Sequence, residues 1–352
     1  MMKKPRVALA VLNWNGVHWL EKFLPTVVAH CPSYAEVVVI DNASSDSSVK
    51  YVKAHHPEVR IIQHPANWGY AGGYNRALQQ MDYTYTVLIN SDIETTSGWL
   101  DPLVAYMDSH PNCGACQPKI KSYNQRDSFE YAGAGGGFLD VYGYPFCRGR
   151  LFDTLEIDSG QYDDECEVFW ATGACLMVRN AAYFNAGGLD EQLFAHMEEI
   201  DLCWRMWRKG HTVGYCGKSE VYHVGGGTLA SDNPRKTYYN FRNNLILLIK
   251  NLPREDFRMT LFTRLILDGV AGLKFLLDGK WEHTVAILRA HGTFYRKFSG
   301  LMRQRRKLRT DGFATQWGGL YKKSIALSYF MQGKKLFSDL DPGDFYSFHE
   351  HA

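Results

Sequence analysis

The chain has 352 residues, 45% of them hydrophobic and 22% charged, which is typical of a folded protein with one large domain or two smaller ones. Its formal net charge of +2 argues against a chain-wide affinity for polyanions, and nucleic acid is not expected as a partner. The sequence contains no run of about 18 uninterrupted apolar residues, so it predicts no membrane-spanning helix.

The eight cysteines are scattered along the chain, and the first apolar run is a short strand pattern interrupted by Asn13 rather than a secretory signal. We therefore expect reduced thiols and a cytoplasmic protein. Cys113 and Cys116 form the only CxxC pair. No second pair lies nearby to complete a zinc site, which favours ordinary buried thiols.

The first hundred residues alternate between strand-like and helix-like patterns. Apolar runs predict strands, and helical spacing predicts helices between them. In chain order, the strands are at 6–14, 36–42, 59–64 and 85–90, and the helices are at 18–30, after Ser44 or Ser45, and at 73–81. Strands that are hydrophobic on both faces and alternate with helices predict a parallel sheet covered by helices.

Polar residues follow each of these strands at its carboxyl end. In parallel sheets, ligands bind beside the carboxyl ends of the strands. The convergence of four polar strand ends predicts one binding crevice, lined by Asn13, Asn15, Asp41, Asn42, Asn67, Gly69, Asn90, Ser91 and Asp92.

The chain becomes less regular after about residue 105. A glycine-rich stretch at 131–146 predicts a loop or hairpin, and residues 195–210 predict a helix with acids in its first turn. Beyond residue 245 the pattern changes to long helices. Residues 296–309 contain seven Lys or Arg and no acid.

Seven stretches spread over about residues 6 to 245 together resemble the family 2 glycosyltransferases, particularly their bacterial rhamnosyltransferase-like branch. This resemblance implies the GT-A fold, a Rossmann-like α/β architecture with a mostly parallel sheet and helices on both faces, followed by a C-terminal helical extension. The implied regions are a nucleotide-sugar-binding half (1–105) and an acceptor-binding and catalytic half (106–245). Residues 246–352 match the family only in general style, and their own pattern predicts a helical, membrane-associating region. The matching stretches are VLNWNG, VVVIDNASSD, NWGYAGGYNRAL, VLINSDIE, ATGACLMVRN, GGLDEQLFAHMEEIDLCWRMWRKG and VYHVGGGT.

The resemblance implies that Asp92 and His223 bind Mg²⁺ or Mn²⁺, which in turn holds the diphosphate of a sugar nucleotide. Hard oxygen ligands and phosphates suit such an ion. Asn90-Ser91-Asp92 stands where the family has Asp-x-Asp, so one acid is missing and weaker metal binding is expected. The structural alternatives are a helix N-cap or turn for Asp92 and an ordinary structural histidine for His223.

The resemblance also assigns nucleotide-sugar binding to the polar strand ends. Asp41 would contact base or ribose, because a carboxylate accepts hydrogen bonds from hydroxyl and imide groups and repels phosphate. The alternative for Asp41 is a cap for the helix that follows Ser44. The chain has neither a Walker loop nor a GxGxxG motif. The implied binding residues are Asn13, Asn15, Asp41, Asn67, Gly69, Asn90 and Ser91.

The family's catalytic base corresponds to Glu199, where a glutamate replaces the usual aspartate. Glu198 and Asp201 are the alternates or acceptor-positioning residues. Acids in a first helical turn also interact favourably with the helix dipole, and this alone would explain them. On the acceptor side, the resemblance points to Gly173 and to Trp170, which would either stack on a sugar or fill the core.

The tail predicts an amphipathic helix at 261–277 followed by the basic run. Apolar burial and attraction to anionic lipid would anchor such a segment to a membrane surface. The alternative is packing on the catalytic domain or on a second copy of the chain, as in a homodimer. We therefore expect a peripheral protein on the inner face of the cell membrane.

The sequence thus predicts an inverting, metal-dependent hexosyl- or rhamnosyltransferase for cell-surface polysaccharide synthesis. Its donor would be a UDP- or dTDP-linked sugar, and its acceptor a glycan or a polyprenyl-diphosphate-linked glycan. Two alternatives stay open at this point. One is a sugar nucleotidyltransferase, and the other is a non-catalytic, membrane-associated protein that binds sugar nucleotide or glycan.

Overall fold

The computed structural model describes residues 5–130, 133–225, 233–308 and 317–346. The strands are β1 Val7–Asn13, β2 Ala35–Asp41, β3 Arg60–Gln63, β4 Tyr85–Asn90, β5 Ile93–Thr95, β6 Cys113–Ser122, β7 Gly137–Asp140, β8 Pro145–Cys147, β9 Arg150–Leu151, β10 Thr154–Leu155, β11 Glu165–Glu167, β12 Cys175–Arg179, β13 Thr212–His223 and β14 Leu320–Tyr321. The helices are α1 Val17–Ala29, α2 Ser48–His55, α3 Gly69–Leu78, α4 Leu100–Ser109, α5 Asn180–Asn185, α6 Glu198–Arg208, α7 Pro234–Asn251, α8 Arg254–Leu277, α9 Trp281–Leu308 and α10 Ile325–Phe330.

The main sheet has the order β11-β13-β6-β12-β4-β1-β2-β3, and β5 pairs with β13. The strands β4, β1, β2 and β3 are parallel to one another, as the alternating strand and helix patterns predict. Strand β12 runs antiparallel between β4 and β6. The α/β fold class is therefore confirmed, with the parallel part formed by the first ninety residues.

Helices cover both faces of this sheet because its strands are apolar on both sides. In β1, Ala8 and Ala10 belong to one core cluster, which also contains Tyr74 of α3. Leu9 and Val11 point to the other face and pack in a second cluster with helices α1, α2 and α4. This alternation follows from the two-residue period of a strand.

Helix α3 begins four residues earlier than its predicted start at residue 73. Asn67 accepts a hydrogen bond from the backbone N–H of Gly69 (2.8 Å), and Gly69 has φ +67°. Inside the helix, a Cβ on Gly73 would lie 2.8 Å from Cδ1 of Leu12. Gly73 therefore lets α3 pack closely on β1, and this close packing explains why a glycine stands at this buried position.

Helix α2 begins at Ser48, later than the predicted start after Ser44 or Ser45. The side chain of Asp46 accepts the backbone N–H of Ser48 at 3.0 Å. Ser44 instead lies at the polar ends of β1 and β2. A short strand, β5, which the sequence pattern did not predict, precedes helix α4.

The C-terminal helices α7, α8 and α9 pack against one another, and α7 also packs against α6. The chain then returns to the glycine-rich segment, where β14 pairs with β7 in a second sheet of order β10-β9-β8-β7-β14. The hairpin of β7 and β8 confirms the prediction for this segment over its described residues. Of the helices described, none is both long enough and apolar enough to cross a membrane.

All eight cysteines carry free thiols. Cys113 and Cys116 lie on β6 and are fully buried, in keeping with the prediction of ordinary buried thiols. Burial raises the pKa of Cys113 to about 12 and also raises that of Cys116. These thiols therefore stay protonated near neutral pH.

Candidate active site

The carboxyl ends of the four parallel strands lie side by side at one edge of the sheet. Asn13 at the end of β1 is in register with Asp41 at the end of β2. Asn90 at the end of β4 is in register with Leu12 of β1. The parallel register therefore brings the predicted polar strand ends together along one edge.

Asp41 and Asn13 form a buried polar network with Ser44. The carboxylate of Asp41 accepts the backbone N–H of Ser44 at 3.0 Å and the side-chain amide of Asn13 at 3.3 Å. The same amide donates to Oγ of Ser44 at 3.1 Å. Oδ1 of Asn13 is buried without a hydrogen-bond partner. Because an unsatisfied buried acceptor is unfavourable, it is available to a donor group on a ligand.

Asn15 lies on the exposed rim of this network in a left-handed conformation with φ 50°. Its side-chain oxygen accepts the backbone N–H of Ser45 at 2.7 Å, and its own N–H donates to Ser44 at 2.9 Å. The side chain thus ties the turn after β1 to the turn after β2. Trp14 beside it is 57% exposed.

Asn42, at the end of β2, holds the turn that carries Asn67 and Gly69. Its amide nitrogen donates to Oδ1 of Asn67 (3.1 Å) and to the carbonyl of Gly69 (2.9 Å), and its oxygen accepts the N–H of Trp68 (3.2 Å). Asn67 and Gly69 are therefore structural parts of the crevice wall.

Asp92 and His223 meet because β5 pairs with the end of β13, where His223 is in register with Ile93. Oδ1 of Asp92 lies 3.2 Å from Nε2 of His223. On the other side of the ring, Nδ1 lies 3.2 Å from Oε2 of Glu130, and all three side chains are buried. Sequence reasoning missed Glu130, which stands in an irregular segment without a motif.

The pKa of His223, which lies between these two acids, is strongly shifted. Burial alone would lower the pKa of His223, but its interactions with Asp92 and Glu130 outweigh burial and raise the pKa to about 10. A divalent cation beside Asp92 would replace the proton on Nε2 and leave Nδ1–H facing Glu130. Metal-bound histidines commonly have this arrangement, so the residues fit the implied cation.

Asp92 and His223 belong to no group of three or more His, Cys, Asp or Glu side chains arranged for a metal within the described ranges. Mg²⁺ sites that bind phosphorylated substrates typically use one or two carboxylates and complete their shell with phosphate and water oxygens. Residues 226–228 of the glycine-rich motif after His223 lie outside the described residues.

Gly173 and Ala174, which were predicted to lie on the acceptor side, contact both β4 and α3. The backbone N–H of Asn90 donates to the carbonyl of Ala174 at 2.9 Å, and the hydroxyl of Tyr70 donates to the carbonyl of Gly173 at 2.6 Å. A Cβ on Gly173 would lie 2.8 Å from that hydroxyl. Gly173 therefore lies against both the crevice edge and α3. Asn90 and Ser91 are partly exposed there.

Glu198 and Glu199 occupy the first turn of α6, as predicted. Burial raises the pKa of both carboxyl groups, and the charge of Glu199 adds to the shift of Glu198. Both lie close enough to Tyr70 to raise its pKa further, after burial and Tyr74. Glu198 is buried with Oε2 unpaired, whereas Glu199 is partly exposed. The pair therefore lies near the Tyr70–Gly173 contact.

Asp201 is fully buried and fully engaged, so its surroundings do not fit the predicted role of alternate base. Its carboxylate binds Nε of Arg205 at 2.8 Å, Nζ of Lys250 at 2.8 Å and the side-chain amide of Asn251 at 2.9 Å. These partners come from α6 and α7. Asp201 joins the two helices and has no free oxygen for a substrate.

Trp170 is a core residue, which settles the two alternatives given for it. The side chain is buried, its indole N–H donates to the carbonyl of Phe138 at 2.9 Å, and Gly137 packs against its ring. Of the two alternatives, the structure therefore supports the core position, because the ring faces the β7 strand and leaves no surface for stacking on a sugar.

Residues 9–161 match the model of the family described as Glycosyl transferase family 2. This part of the chain is a family 2 glycosyltransferase domain. Over 233 residues, the chain is 29% identical to an N-acetylglucosaminyl-diphospho-decaprenol L-rhamnosyltransferase of Mycobacterium tuberculosis, covering 61% of this chain and 74% of the relative. The predicted resemblance to the rhamnosyltransferase-like branch is confirmed.

Solved glycosyltransferases share the fold of this chain. The S. aureus TarS 1–349 structure with UDP-GlcNAc aligns with a TM-score of 0.56 at 16% identity, covering 97% of this chain and 99% of TarS. The mannosyltransferase PcManGT of Pyrobaculum calidifontis, solved with GDP-Man and Mn²⁺, aligns with a TM-score of 0.52 at 13% identity, covering 88% and 86%. These likenesses confirm the GT-A fold.

Proposed function

We propose that this family 2 glycosyltransferase transfers a sugar, with inversion, from a UDP- or dTDP-linked donor to a hydroxyl group of a glycan or polyprenyl-diphosphate-linked glycan. The observation that carries the proposal is the convergence of the Asn13–Asp41 network and the Asp92–His223 pair on one sheet edge. The relatives support the substrate classes, since one is named as a rhamnosyltransferase that acts on a lipid-linked sugar and another was solved with UDP-GlcNAc.

The donor's nucleoside would lie over the ends of β1 and β2. The carboxylate of Asp41 and the unpaired oxygen of Asn13 are hydrogen-bond acceptors, which suit ribose hydroxyls and a base N–H. Asp92 and His223 would hold Mg²⁺ or Mn²⁺, which neutralises diphosphate charge when bound. Asn90 and Ser91 would line the path between nucleoside and diphosphate.

Glu199 would act as the general base that removes the proton from the attacking hydroxyl group. Its pKa is raised by burial, and a base is most efficient when its pKa lies near the working pH. Glu199 is also more exposed than Glu198. The neighbouring Glu198 would then help to place the acceptor, together with the Gly173 segment.

A panel of UDP-, dTDP- and GDP-sugars tests this function, with release of nucleoside diphosphate as the readout in Mg²⁺, Mn²⁺ or EDTA. We expect release from one donor, loss of release in EDTA, and a reduction of about 10²-fold or more in Asp92→Asn, since a bound metal contributes several kcal/mol. Glu94→Gln, two residues away and paired with Arg126, is the matched control. We expect it to change the rate by no more than about twofold.

Two results would count against the proposal. Equal rates in EDTA and in Mn²⁺ would remove the metal from the mechanism. Donor binding without release, with or without added glycan acceptors, would favour the non-catalytic alternative.

We also propose that α8 docks on an anionic membrane surface at the inner face of the cell membrane. Helix α8 turns Arg264 and Asp268 inward: both are buried, and they pair at 2.6 Å. Arg264 also donates to Asn244 of α7 at 2.5 Å, and His291 of α9 lies 3.0 Å from Asp268. These contacts fix the rotation of the helix.

The opposite side of α8 is apolar and faces outward. Its exposed side chains recur at helical spacing: Met259, Phe262, Ile266, Val270, Leu273 and Leu277. Helix α9 adds exposed apolar residues and then the exposed cations Arg296, Lys297, Arg303, Arg306 and Lys307. An exposed apolar face on α8, together with exposed cations on the helix α9 that packs against it, matches the chemistry of an anionic lipid surface. A lipid-linked acceptor would be reached from the same surface.

The double variant Phe262→Asp/Leu273→Asp tests this surface by flotation with phosphatidylglycerol and phosphatidylcholine vesicles. We expect wild-type binding at low salt, and at least about tenfold weaker binding in the variant, because each side chain loses roughly 1.5–3 kcal/mol of apolar burial. Ile157→Asp changes another exposed apolar residue, 69% accessible, and should bind as wild type does.

Absence of wild-type binding would contradict the membrane proposal. If sedimentation then shows a dimer that the double variant disrupts, a second copy of the chain covers this face instead.

A further inference from the structure

The segment that leads into α6 has an unusual backbone. Phe194, His196 and Met197 all have positive φ angles, of 68°, 66° and 75°. Side chains other than glycine adopt this left-handed conformation rarely and at a cost in energy. Contacts elsewhere in the fold must therefore hold this segment, and Glu198 and Glu199 follow it directly.

Asn243 of α7 supplies those contacts. Its side chain is fully buried, and Nδ2 lies within hydrogen-bond distance of three backbone carbonyls, those of Leu193 (3.0 Å), Ala195 (2.8 Å) and His196 (2.7 Å). A carboxylate or an apolar side chain would supply no donor to these oxygens. Asn243 therefore ties the strained segment to the C-terminal helical region at one point.

Arg242 fixes the direction in which this amide points. Its Nε donates to Oδ1 of Asn243 at 2.8 Å, so Nδ2 must face the carbonyls. One of its terminal nitrogens also donates to the carbonyl of Leu193 at 2.6 Å. Further along α7, Lys250 and Asn251 bind Asp201 of α6. Helix α7 thus binds both the segment that precedes α6 and the first turn of α6.

We propose that Asn243 is a positioning residue for the reaction: it holds residues 193–197 in the strained conformation that places Glu199, and so sets the rate of transfer without touching the donor. This inference rests on the proposed function, in which Glu199 is the base. A base acts only within hydrogen-bond reach of the attacking hydroxyl group, and misplacement by about 1 Å can reduce a rate by about 10²-fold.

The first test compares Asn243→Ala with Asn244→Ala. Asn244 is the matched control because it is also buried in α7 and also binds a backbone carbonyl, that of Gly143, but it contacts Arg264 rather than the acidic segment. We expect both variants to lose thermal stability. Only Asn243→Ala should lower kcat, by about 10²-fold, while the Kd for the donor with Mn²⁺, measured by calorimetry, stays as in wild type.

A double-mutant cycle separates positioning through Glu199 from general damage. If Asn243 acts through Glu199, adding Asn243→Ala to Glu199→Gln should lower kcat by no more than about twofold. The inference would be overturned if the double variant lost kcat by the product of the two single losses. It would also be overturned if Asn243→Ala had the kcat of wild type. If Asn243→Ala does not fold, Asn243→Ser, which is small and uncharged and leaves at most one donor for the three carbonyls, takes its place.

The two proposals fail in different ways. A wild-type protein that binds donor and transfers no sugar contradicts the proposed function. A wild-type protein that transfers sugar, together with an Asn243 variant that does so at the wild-type rate, contradicts this inference alone.

Discussion

Glu199→Gln is expected to lower kcat by about 10²–10⁴-fold, the usual contribution of a general base. The amide keeps the size of the side chain and its place in the first turn of α6, but it cannot accept the proton of an attacking hydroxyl group. Donor affinity should be unchanged, because the proposed donor site lies at the strand ends and not at α6. The measurement is single-turnover transfer at saturating donor and acceptor.

The pH profile gives this prediction a second readout. Burial raises the pKa of Glu199, and only the ionised carboxylate acts as a base. Transfer by the wild type should therefore rise as the pH increases through that raised pKa. In Glu199→Gln the same limb should be absent from the residual rate.

Glu198→Gln is the matched control, since it removes the neighbouring carboxylate from the same helical turn. We expect a smaller loss of kcat and a Glu199 limb at about the wild-type pH, because burial, and not the charge of Glu198, raises the pKa of Glu199. If Glu198→Gln abolishes transfer and Glu199→Gln does not, the roles of the two glutamates are exchanged.

Asp201→Ala is expected to destabilise the protein by about 3–5 kcal/mol, the usual effect of removing one partner from a buried ion pair. The variant leaves Arg205 and Lys250 buried without their shared carboxylate, and it removes an ion pair that joins α6 to α7. Urea unfolding measures the change. Asp278→Ala, at the exposed i,i+4 pair with Lys274, should change stability by less than about 0.5 kcal/mol.

The same carboxylate gives stability a defined pH dependence. Burial alone would raise the pKa of Asp201, but Arg205 and Lys250 outweigh it and the pKa falls well below its ordinary value. The stabilisation is therefore complete above the unfolded pKa of about 3.9 and is lost as the pH falls towards the folded value. Wild type should lose stability over that acidic range, and Asp201→Ala should lose less.

The position of the proposed donor-binding residues at one sheet edge was predictable from the sequence. The strand ends at Asn13, Asp41 and Asn90 could be recognised because runs of apolar residues stop there. A parallel sheet places such ends together. The first-turn acids of α6 were also predictable, since helical spacing locates the start of the helix. Each of these features depends on residues that are close together in the chain.

Other site features depend on contacts between distant segments and have no local signal. Glu130 reaches His223 only because β6 pairs with β13. Asn243 and the carbonyl of Leu193 are fifty residues apart in the chain. For Trp170 and Asp201, the sequence pattern was equally compatible with a side chain that faces a ligand. Their burial against β7 and against α7 decided that they are structural.

Helix α8 shows where the two kinds of information divide. The amino-acid sequence determined that residues 261–277 form a helix with an apolar and a charged side, because periodicity is a local property. Only the tertiary structure decided which side faces the protein. Arg264 and Asp268 find buried partners in Asn244 and His291. Satisfying those buried charges turns the apolar side outward, which no pattern within the helix itself could reveal.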